Sequence, residues 1–441
     1  MDPIVYLPIE IKYRELPSRL MIAAHLLGMG YAVALGSHWD LINPPNQAAL
    51  PRGLFLMKSL NRLQGNAMAM LRGNGHMIAA TDEEVLQFVD DSGYMTAFSE
   101  RAADNLDLFF AQSEAHRQAV ERRYPKLAGK VQVTGNVRID LMSPENRALF
   151  EAIDGRVAPL KPYILFNTNY GSANSVWADT NRTTAMAEAT GTFDGPDRAQ
   201  KIKEYQGILD WEASNSRAMV ALIQWVVNNA TGLNFVLRPH PAERPKYWEQ
   251  VLAPVPRAHI IARSDPHPWI MGAELVVHTG CTTGLETTLL GKPAVNLLPT
   301  AHPNCRQILD LVNPTFRTWE EAAQAIAQYF GARQGPIATH GDQAAAALAT
   351  HLPGYRDNAA ARLIAQGLAA TLAANGAPAG APLTWRGTFR AVELNDLQRD
   401  KYSATTDEVR AGLVKAMGAA GIPTQVRLAT LGEGQFLAIP N

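Results

Sequence analysis

Two loops most constrain what this chain can fold into. Each follows a short apolar run typical of a buried strand, Leu233 to Leu237 in one case and Glu274 to Val277 in the other. The first loop reads RPHPAE over residues 238–243, and the second reads HTGCTTGLE over residues 278–286. In an open α/β sheet, ligands bind beyond the carboxyl ends of the strands. The two loops therefore predict an α/β unit with a ligand site at its strand ends.

The second loop has the composition of an anion site. Gly280 lets the backbone approach a ligand closely, as does Gly284, and a helix beginning near Thr283 would point its unpaired amides at an anion. Thr279 and Thr282 add hydroxyl donors beside His278. The same residues also fit an ordinary helix cap, because Glu286 follows Thr283 at the spacing of a capping box. Alone, this loop leaves both interpretations open.

The first loop offers a guanidinium at Arg238 and an imidazole at His240. Prolines on both sides of His240 fix the backbone and suit it to presenting the ring, although a hydrogen-bonded structural histidine would look the same. Pro241 and Glu243 complete the segment. The two loops together predict a site for a phosphate-bearing nucleotide.

Composition excludes several other classes of protein. The formal net charge of −1 over 441 residues gives no sign of nucleic-acid binding, which requires a basic surface. The two cysteines, Cys281 and Cys305, make a disulfide framework unexpected, and no CxxC or histidine-rich cluster predicts a metal site. We find no signal peptide and no apolar stretch of membrane-spanning length, and we expect a cytoplasmic protein.

Apolar runs alternate with helical patterns along the chain, which predicts repeated βαβ units and an α/β fold. A first set of predicted strands, beginning at residues 4–9, defines a domain over 1–145. A second set begins at Tyr163 to Phe166 and continues into a polar loop, containing Asn167 and Thr168, that suits phosphate or sugar contacts. This second domain extends over 146–374. A Gly/Ala/Pro linker at 375–382 and a small α+β extension at 383–441 follow.

The chain resembles the bacterial surface carbohydrate biosynthesis proteins, a group of GT-B enzymes related to Kdo transferases and polysialyltransferases. The resemblance runs from about Ile4 to about Tyr329 and is carried by five motifs: Pro8-Ile9-Glu10 with Arg14-Glu15-Leu16, Asp82-Glu83-Glu84, residues 134–140 (TGNVRID), residues 238–241 (RPHP) and residues 278–286. It implies two Rossmann-like domains facing a cleft. The first would bind the acceptor and the second the donor. Such proteins usually have Gly after the acidic cluster, whereas Val85 stands here.

The resemblance also implies an activity, which is transfer of a nonulosonic or Kdo-like 2-keto sugar acid from a CMP-activated donor to a surface glycan, glycolipid or glycoprotein. His240 would contact the CMP, Thr282 and Thr283 its phosphate, and Asn136 would belong to the donor site. No metal and no further cofactor is expected, because side chains and helix dipoles can neutralise the leaving phosphate.

Several acidic residues near predicted strand ends are candidates for the catalytic carboxylate. Glu10 is the first choice, and Asp82 with Glu83 the second, although an acidic helix start would give the same pattern. Arg14 could hold the sugar carboxylate with a bidentate fork, or pair with Glu15.

The basic stretch Arg52 to Arg72, which includes Lys58, fits either contact with an anionic glycolipid or membrane surface, or an ordinary surface helix. Three other functions stay open. They are a CDP-activated polyol phosphate transferase, an enzyme like UDP-N-acetylglucosamine 2-epimerase, and a non-catalytic GT-B subunit.

Overall fold

The computed structural model describes residues 1–82, 99–149, 155–174, 180–195, 197–230, 232–253, 255, 257–262, 264–301, 308–332, 341–383, 385, 389–390 and 392–440. The chain divides into two compact units. Unit 1 contains the described residues up to 149 together with those from 354 onward, and unit 2 contains those from 155 to 353.

Unit 1 is built on a sheet with eight strands among the described residues, in the order β13-β14-β2-β1-β3-β4-β5-β6. Its strands are β1 (Ile4–Ile9), β2 (Ala32–Ser37), β3 (Leu54–Met57), β4 (Met77–Ala80), β5 (Leu108–Ala111), β6 (Val131–Val133), β13 (Val426–Gly432) and β14 (Gln435–Pro440). Its helices are α1 (Lys12–Gly28), α2 (His38–Leu41), α3 (Pro44–Ala49), α4 (Arg62–Gly73), α5 (Glu100–Asn105), α6 (Glu114–Arg123), α7 (Val137–Asp140), α16 (Ala360–Ala374), α17 (Asp396–Lys401) and α18 (Thr406–Ala419). Strands β1 to β6 pair in parallel, and β1 is buried along its whole length, as the continuous apolar run of a parallel strand requires.

The C-terminal segment is part of unit 1, which differs from the predicted domain bounds. Residues 354–374 were placed in the second domain, and 383–441 in a separate extension, yet α16 and α18 pack on α1, and β14 pairs antiparallel with β2. Gln435 lies so close to β2 that a Cβ at Gly36 would be 1.6 Å from its Oε1. The predicted linker is also anchored, since the Gly380 amide donates to the Gly30 carbonyl at 3.0 Å.

Unit 2 has a sheet with six strands among the described residues, all parallel, in the order β12-β11-β10-β7-β8-β9. Its strands are β7 (Tyr163–Asn167), β8 (Asn234–Arg238), β9 (Ala258–Ile260), β10 (Leu275–His278), β11 (Ala294–Leu297) and β12 (Thr315–Phe316). Its helices are α8 (Thr180–Thr190), α9 (Arg198–Asn229), α10 (Pro245–Leu252), α11 (Pro266–Gly272), α12 (Thr282–Leu289), α13 (Leu309–Val312), α14 (Trp319–Ala332) and α15 (Gly341–His351). The core packs one face of β7, β8, β10 and β11 against α9, α10 and α14.

One predicted element is wrong. The stretch Arg52 to Arg72 is not a surface helix, because Leu54–Met57 form the fully buried strand β3 between β1 and β4. Only its second half is helical, in α4. Leu63 and Met70 are exposed on that helix.

Candidate functional site

Three loops of unit 2 leave the sheet side by side. Strands β10, β7 and β8 are neighbours in this order, and His278, Asn167 and Arg238 stand in register across them. Because the strands are parallel, the segments that follow these three residues start from one edge at the same level. The structure therefore brings together the loops that the sequence placed at strand ends.

Glu243 joins two of these loops. Its carboxylate accepts hydrogen bonds from Thr168 Oγ1 (2.7 Å), the Tyr170 amide (3.1 Å), the His240 amide (3.0 Å) and Trp248 Nε1 (2.7 Å). The side chain is 1% exposed, and this burial raises the pKa of Glu243 while the hydrogen bonds lower it in part. Glu243 and Thr168, predicted to bind the donor, therefore hold the loops in place.

His240 is oriented by its own loop. The Ala242 amide donates to His240 Nδ1 at 3.2 Å, so the neutral ring carries its proton on Nε2. Pro241 is exposed beside it. The loop after β7 approaches so closely that a Cβ at Gly171 would lie 2.9 Å from Ala242 Cβ and 3.4 Å from His240 Nδ1. In this tautomer the imidazole has Nε2 as its hydrogen-bond donor.

Arg238, at the end of β8, forms hydrogen bonds to Asn167 at the end of β7 and to Ser264 after β9. Its Nε donates to Ser264 Oγ at 3.0 Å, an Nη donates to the Ser264 carbonyl, and the other Nη donates to Asn167 Oδ1 at 3.4 Å. Asn167 is 2% exposed. These contacts give Arg238 and Asn167 a structural use in addition to the predicted contact with the donor.

The third loop leads into the amino end of α12. Gly280 has φ +54° and donates its amide to Asn296 Oδ1 at 2.9 Å. The N-cap is Cys281, whose side chain makes no capping bond, so the predicted capping box of Thr283 and Glu286 is wrong. Thr282 and Thr283 are half-buried in the first turn, whereas Thr279 is buried. First-turn amides and hydroxyls of this kind can bind an anion.

His278, at the end of β10, and Glu286, in α12, are both 0% exposed. His278 Nε2 is 3.0 Å from Asn313 Oδ1, and burial lowers the pKa of His278 to about 4, so the ring is neutral. Direct donor contact, predicted for both residues, does not fit this burial.

A buried cluster of charged residues around Glu286 was not identified from the sequence. His267 Nδ1 is 2.9 Å from Asp265 Oδ1, and His267 Nε2 is 3.9 Å from Glu286 Oε1. Burial alone would lower the pKa of His267, but the two carboxylates raise it to about 9. The sequence Asp265-Pro266-His267-Pro268 repeats the His-Pro pattern of the first loop and could have drawn attention to this cluster.

In unit 1, Glu10 is held between two lysines. Its carboxylate is 2.6 Å from Lys58 Nζ and 2.7 Å from Lys401 Nζ, and Lys58 also lies 3.5 Å from Glu15. Glu15 accepts the Glu10 amide at 2.7 Å. Burial would raise the pKa of Glu10, but the two ammonium groups hold it far below its usual range. Because an efficient general base has a pKa near the operating pH, these contacts argue against Glu10 as the base.

The other residues of unit 1 that the sequence predicted to be functional each have different neighbours. Arg14 is half-buried in the first turn of α1. Asp82 is 8% exposed at the end of β4, and Glu83 lies outside the described residues. Asn136, predicted in the donor site, accepts the Arg138 amide at 2.9 Å and caps α7. Asp140, the last residue of the motif at residues 134–140, accepts the Ala361 amide at 2.9 Å and so fixes the start of α16.

No protein-family model matches the chain, and no curated protein matches it. Solved structures do. The wall teichoic acid polymerase TagF aligns with TM-score 0.52 and 8% identity, over 85% of this chain and 90% of that chain. A putative UDP-N-acetylglucosamine 2-epimerase from Listeria monocytogenes aligns with TM-score 0.50 and 13% identity, over 85% and 97%. The chain has a GT-B-type fold.

At these identities the likeness shows the GT-B-type fold alone, with two Rossmann-like units as the sequence predicted. The relation to CMP-sugar, Kdo and polysialic acid enzymes stays a prediction. Among the described residues, no group of three or more His, Cys, Asp and Glu side chains could hold a metal ion. In the same part of the chain, every helix is too short or too polar to cross a membrane.

Proposed function

We propose that this protein is a glycosyltransferase that uses a CMP-activated nonulosonic or Kdo-like sugar acid and transfers it to a bacterial surface glycan, glycolipid or glycoprotein. The observation that carries the proposal is that the His240 loop and the loop before α12 leave the same parallel edge in unit 2, on either side of the loop that follows β7. Ligand sites of open α/β sheets lie at such edges.

The proposed donor site acts mainly on the leaving group. The phosphate of the donor would lie at the amino end of α12, where the first-turn amides and the hydroxyls of Thr282 and Thr283 donate to its oxygens. His240 would donate through Nε2. These groups bind the charge that develops on CMP as the glycosidic bond breaks, and preorganised donors of this kind lower the barrier.

The acceptor hydroxyl needs a base from elsewhere in the chain. We assign this role to Asp82 or Glu83 in preference to Glu10, because Lys58 and Lys401 make Glu10 a very weak base. Arg14 is kept as the candidate for the sugar carboxylate. Lys58, predicted to bind substrate, lies within ion-pair distance of Glu10 and Glu15.

A second candidate is transfer of a polyol phosphate from a CDP-activated polyol, in which the bond between the two phosphates breaks and CMP leaves. It is favoured by the fold similarity to TagF, whose structure was obtained with CDPG. Both candidates use a cytidine nucleotide, whereas an epimerase such as the Listeria protein would use a UDP-sugar.

Calorimetric titration with CMP, CDP, UDP and GDP tests the proposal. We expect CMP to bind most tightly and His240→Ala to weaken it at least about tenfold, the effect of losing one charge-assisted hydrogen bond. His259→Ala, on β9 of the same unit, is the matched control and should bind CMP as the wild type does. Because both candidates release CMP, product analysis with a CMP-sugar and with CDP-glycerol separates them. Preference for UDP, or no nucleotide binding, would refute the CMP-sugar assignment.

A further inference from the structure

Helix α9 places a buried carboxyl group against the loop that follows β7. Glu212, on α9, is 7% exposed, and its Oε2 accepts the amides of Ser172 and Ala173, each at 2.8 Å. Both amides belong to the loop that leaves β7 between the two loops of the candidate donor site. This side chain therefore connects α9 to the middle of that site.

The turn of α9 that contains Glu212 is also bonded to a second loop. Trp211 Nε1 donates to the Thr300 carbonyl at 2.8 Å, and the Thr300 amide donates to Asn215 Oδ1 at 3.3 Å. Thr300 follows β11, and β10 lies between β11 and β7 in the sheet. These bonds fix the position of the turn, so Glu212 is a fixed point to which the loop after β7 is attached.

The loop after β7 packs directly on the His240 loop. A Cβ at Gly171 would lie 2.9 Å from Ala242 Cβ and 3.4 Å from His240 Nδ1. Glu243 holds the part of the loop before Gly171, and Glu212 holds the part after it. Opening of the second part would therefore change the packing around the His240 ring.

The surroundings of Glu212 favour its protonated form. Burial raises the pKa of Glu212 from its ordinary value of 4.5 to about 7, the two loop amides lower it in part, and the nearby Glu243 carboxyl adds to the rise. Two phenols also face this group, Tyr170 from the same loop and Tyr205 from α9, and burial raises the pKa of both, so they are neutral below pH 8. An ionised Glu212 is therefore costly in this position.

We propose that Glu212 is a positioning residue that holds the loop after β7 in its protonated form and lets the loop open as the carboxyl group ionises. With its proton on Oε1, the group still accepts both amides at Oε2. In an opened loop the carboxyl group is in water and ionises at its ordinary pH. Opening therefore becomes about 30-fold more favourable between pH 5.5 and pH 8. The consequence for the nucleotide rests on the proposed function, because an opened loop no longer packs on His240.

Hydrogen exchange of the full chain tests the role of Glu212 directly. After correction for intrinsic exchange rates, protection of the Ser172 and Ala173 amides should fall about 30-fold from pH 5.5 to pH 8. Glu212→Gln keeps an oxygen acceptor and cannot ionise, so its protection should be equal at both pH values. Asp210→Asn, which changes an exposed carboxyl group on the same helix, is the matched control and should behave as the wild type. Wild-type protection that is independent of pH, or an equal fall in Glu212→Gln, would overturn the proposal.

Calorimetry with CMP separates this proposal from the proposed function. Variants are compared with the wild type at pH 8, so that ionisation of the CMP phosphate has the same effect on each protein. Glu212→Gln should bind CMP at least as tightly as the wild type, and Glu212→Leu, which removes the acceptor, should bind about tenfold more weakly.

The outcomes of the two experiments are distinct. If exchange changes as expected and the wild type does not bind CMP, the role of Glu212 stands and the proposed function fails. Equal CMP affinity of the wild type and Glu212→Leu would overturn the link between the loop and the nucleotide. If Glu212→Leu does not fold, weaker CMP binding by Glu212→Gln than by the wild type overturns the same link.

Discussion

Gly284→Ala should damage both the stability of unit 2 and its proposed anion site. A Cβ at this position would lie 2.2 Å from His278 Cε1, 2.3 Å from His278 Nε2 and 2.7 Å from Asn313 Oδ1. All three atoms belong to buried side chains, and His278 is held by Asn313 at 3.0 Å. The helix α12 or the His278 ring must therefore move.

The cost can be worked out from these contacts. Overpacking a closely packed core costs about 1–3 kcal/mol. Breaking the bond between His278 and Asn313 leaves buried polar groups unsatisfied and costs about 1–3 kcal/mol more. The better helix propensity of Ala returns about 1 kcal/mol. We expect a net loss of about 1–5 kcal/mol in the free energy of unfolding.

Urea unfolding of Gly284→Ala and of a matched control measures this cost. Gly207→Ala lies inside α9 of the same unit, and no described atom would be within 4 Å of its new Cβ. It should stabilise the protein by about 0.5–1 kcal/mol. A shifted α12 should also weaken CMP binding. A Gly284→Ala protein as stable as the wild type, with unchanged CMP affinity, would refute the close approach of α12 to His278.

The remaining predictions concern buried charges. The raised pKa of His267 means that its stabilising contribution is complete below about pH 6.5 and is lost as the pH rises through about 9, by up to about 3 kcal/mol; urea unfolding of His267→Gln should lack this decline. Burial raises the pKa of Asp140 to about 7, so the charged carboxylate destabilises the fold at higher pH. Asp140→Asn should therefore be no less stable than the wild type at pH 8. Asp140→Ala should lower the free energy of unfolding by about 1–2 kcal/mol, because it removes the acceptor of the Ala361 amide at the start of α16. A double-mutant cycle of Glu10→Gln and Lys401→Met should give a coupling energy of about 1–2 kcal/mol, and additive effects would contradict the ion pair.

The sequence predicted the α/β pattern well because parallel strands are continuous apolar runs. The bounds of β1 agree with the structure, and β8 and β10 differ by one residue at each end. Strand β3 was missed because its four apolar residues stand among basic ones, and so short a run cannot be assigned by periodicity alone.

The roles of individual side chains were less predictable, because burial decides them. His240 and Glu243 belong to one motif, yet His240 is half-buried and Glu243 is 1% exposed and bonded to two loops. In unit 1, one of the two ion-pair partners of Glu10 is Lys401, at a sequence separation of 391 residues. No local pattern could indicate that contact.

The C-terminal segment therefore changes the charge environment of Glu10 in unit 1 and also completes the fold of that unit. Strand β14 covers the edge of β2, which would otherwise present unpaired backbone groups. Asp40 accepts the Val392 amide and Gln435 Nε2, each at 2.7 Å, so the segment is fixed beside α2 at the end of β2. The same segment contains Lys401, which forms an ion pair with Glu10. A chain truncated after the predicted linker would lose one of the two ion pairs of Glu10, and it would leave the edge of β2 exposed. Tests of catalysis must therefore use the full chain.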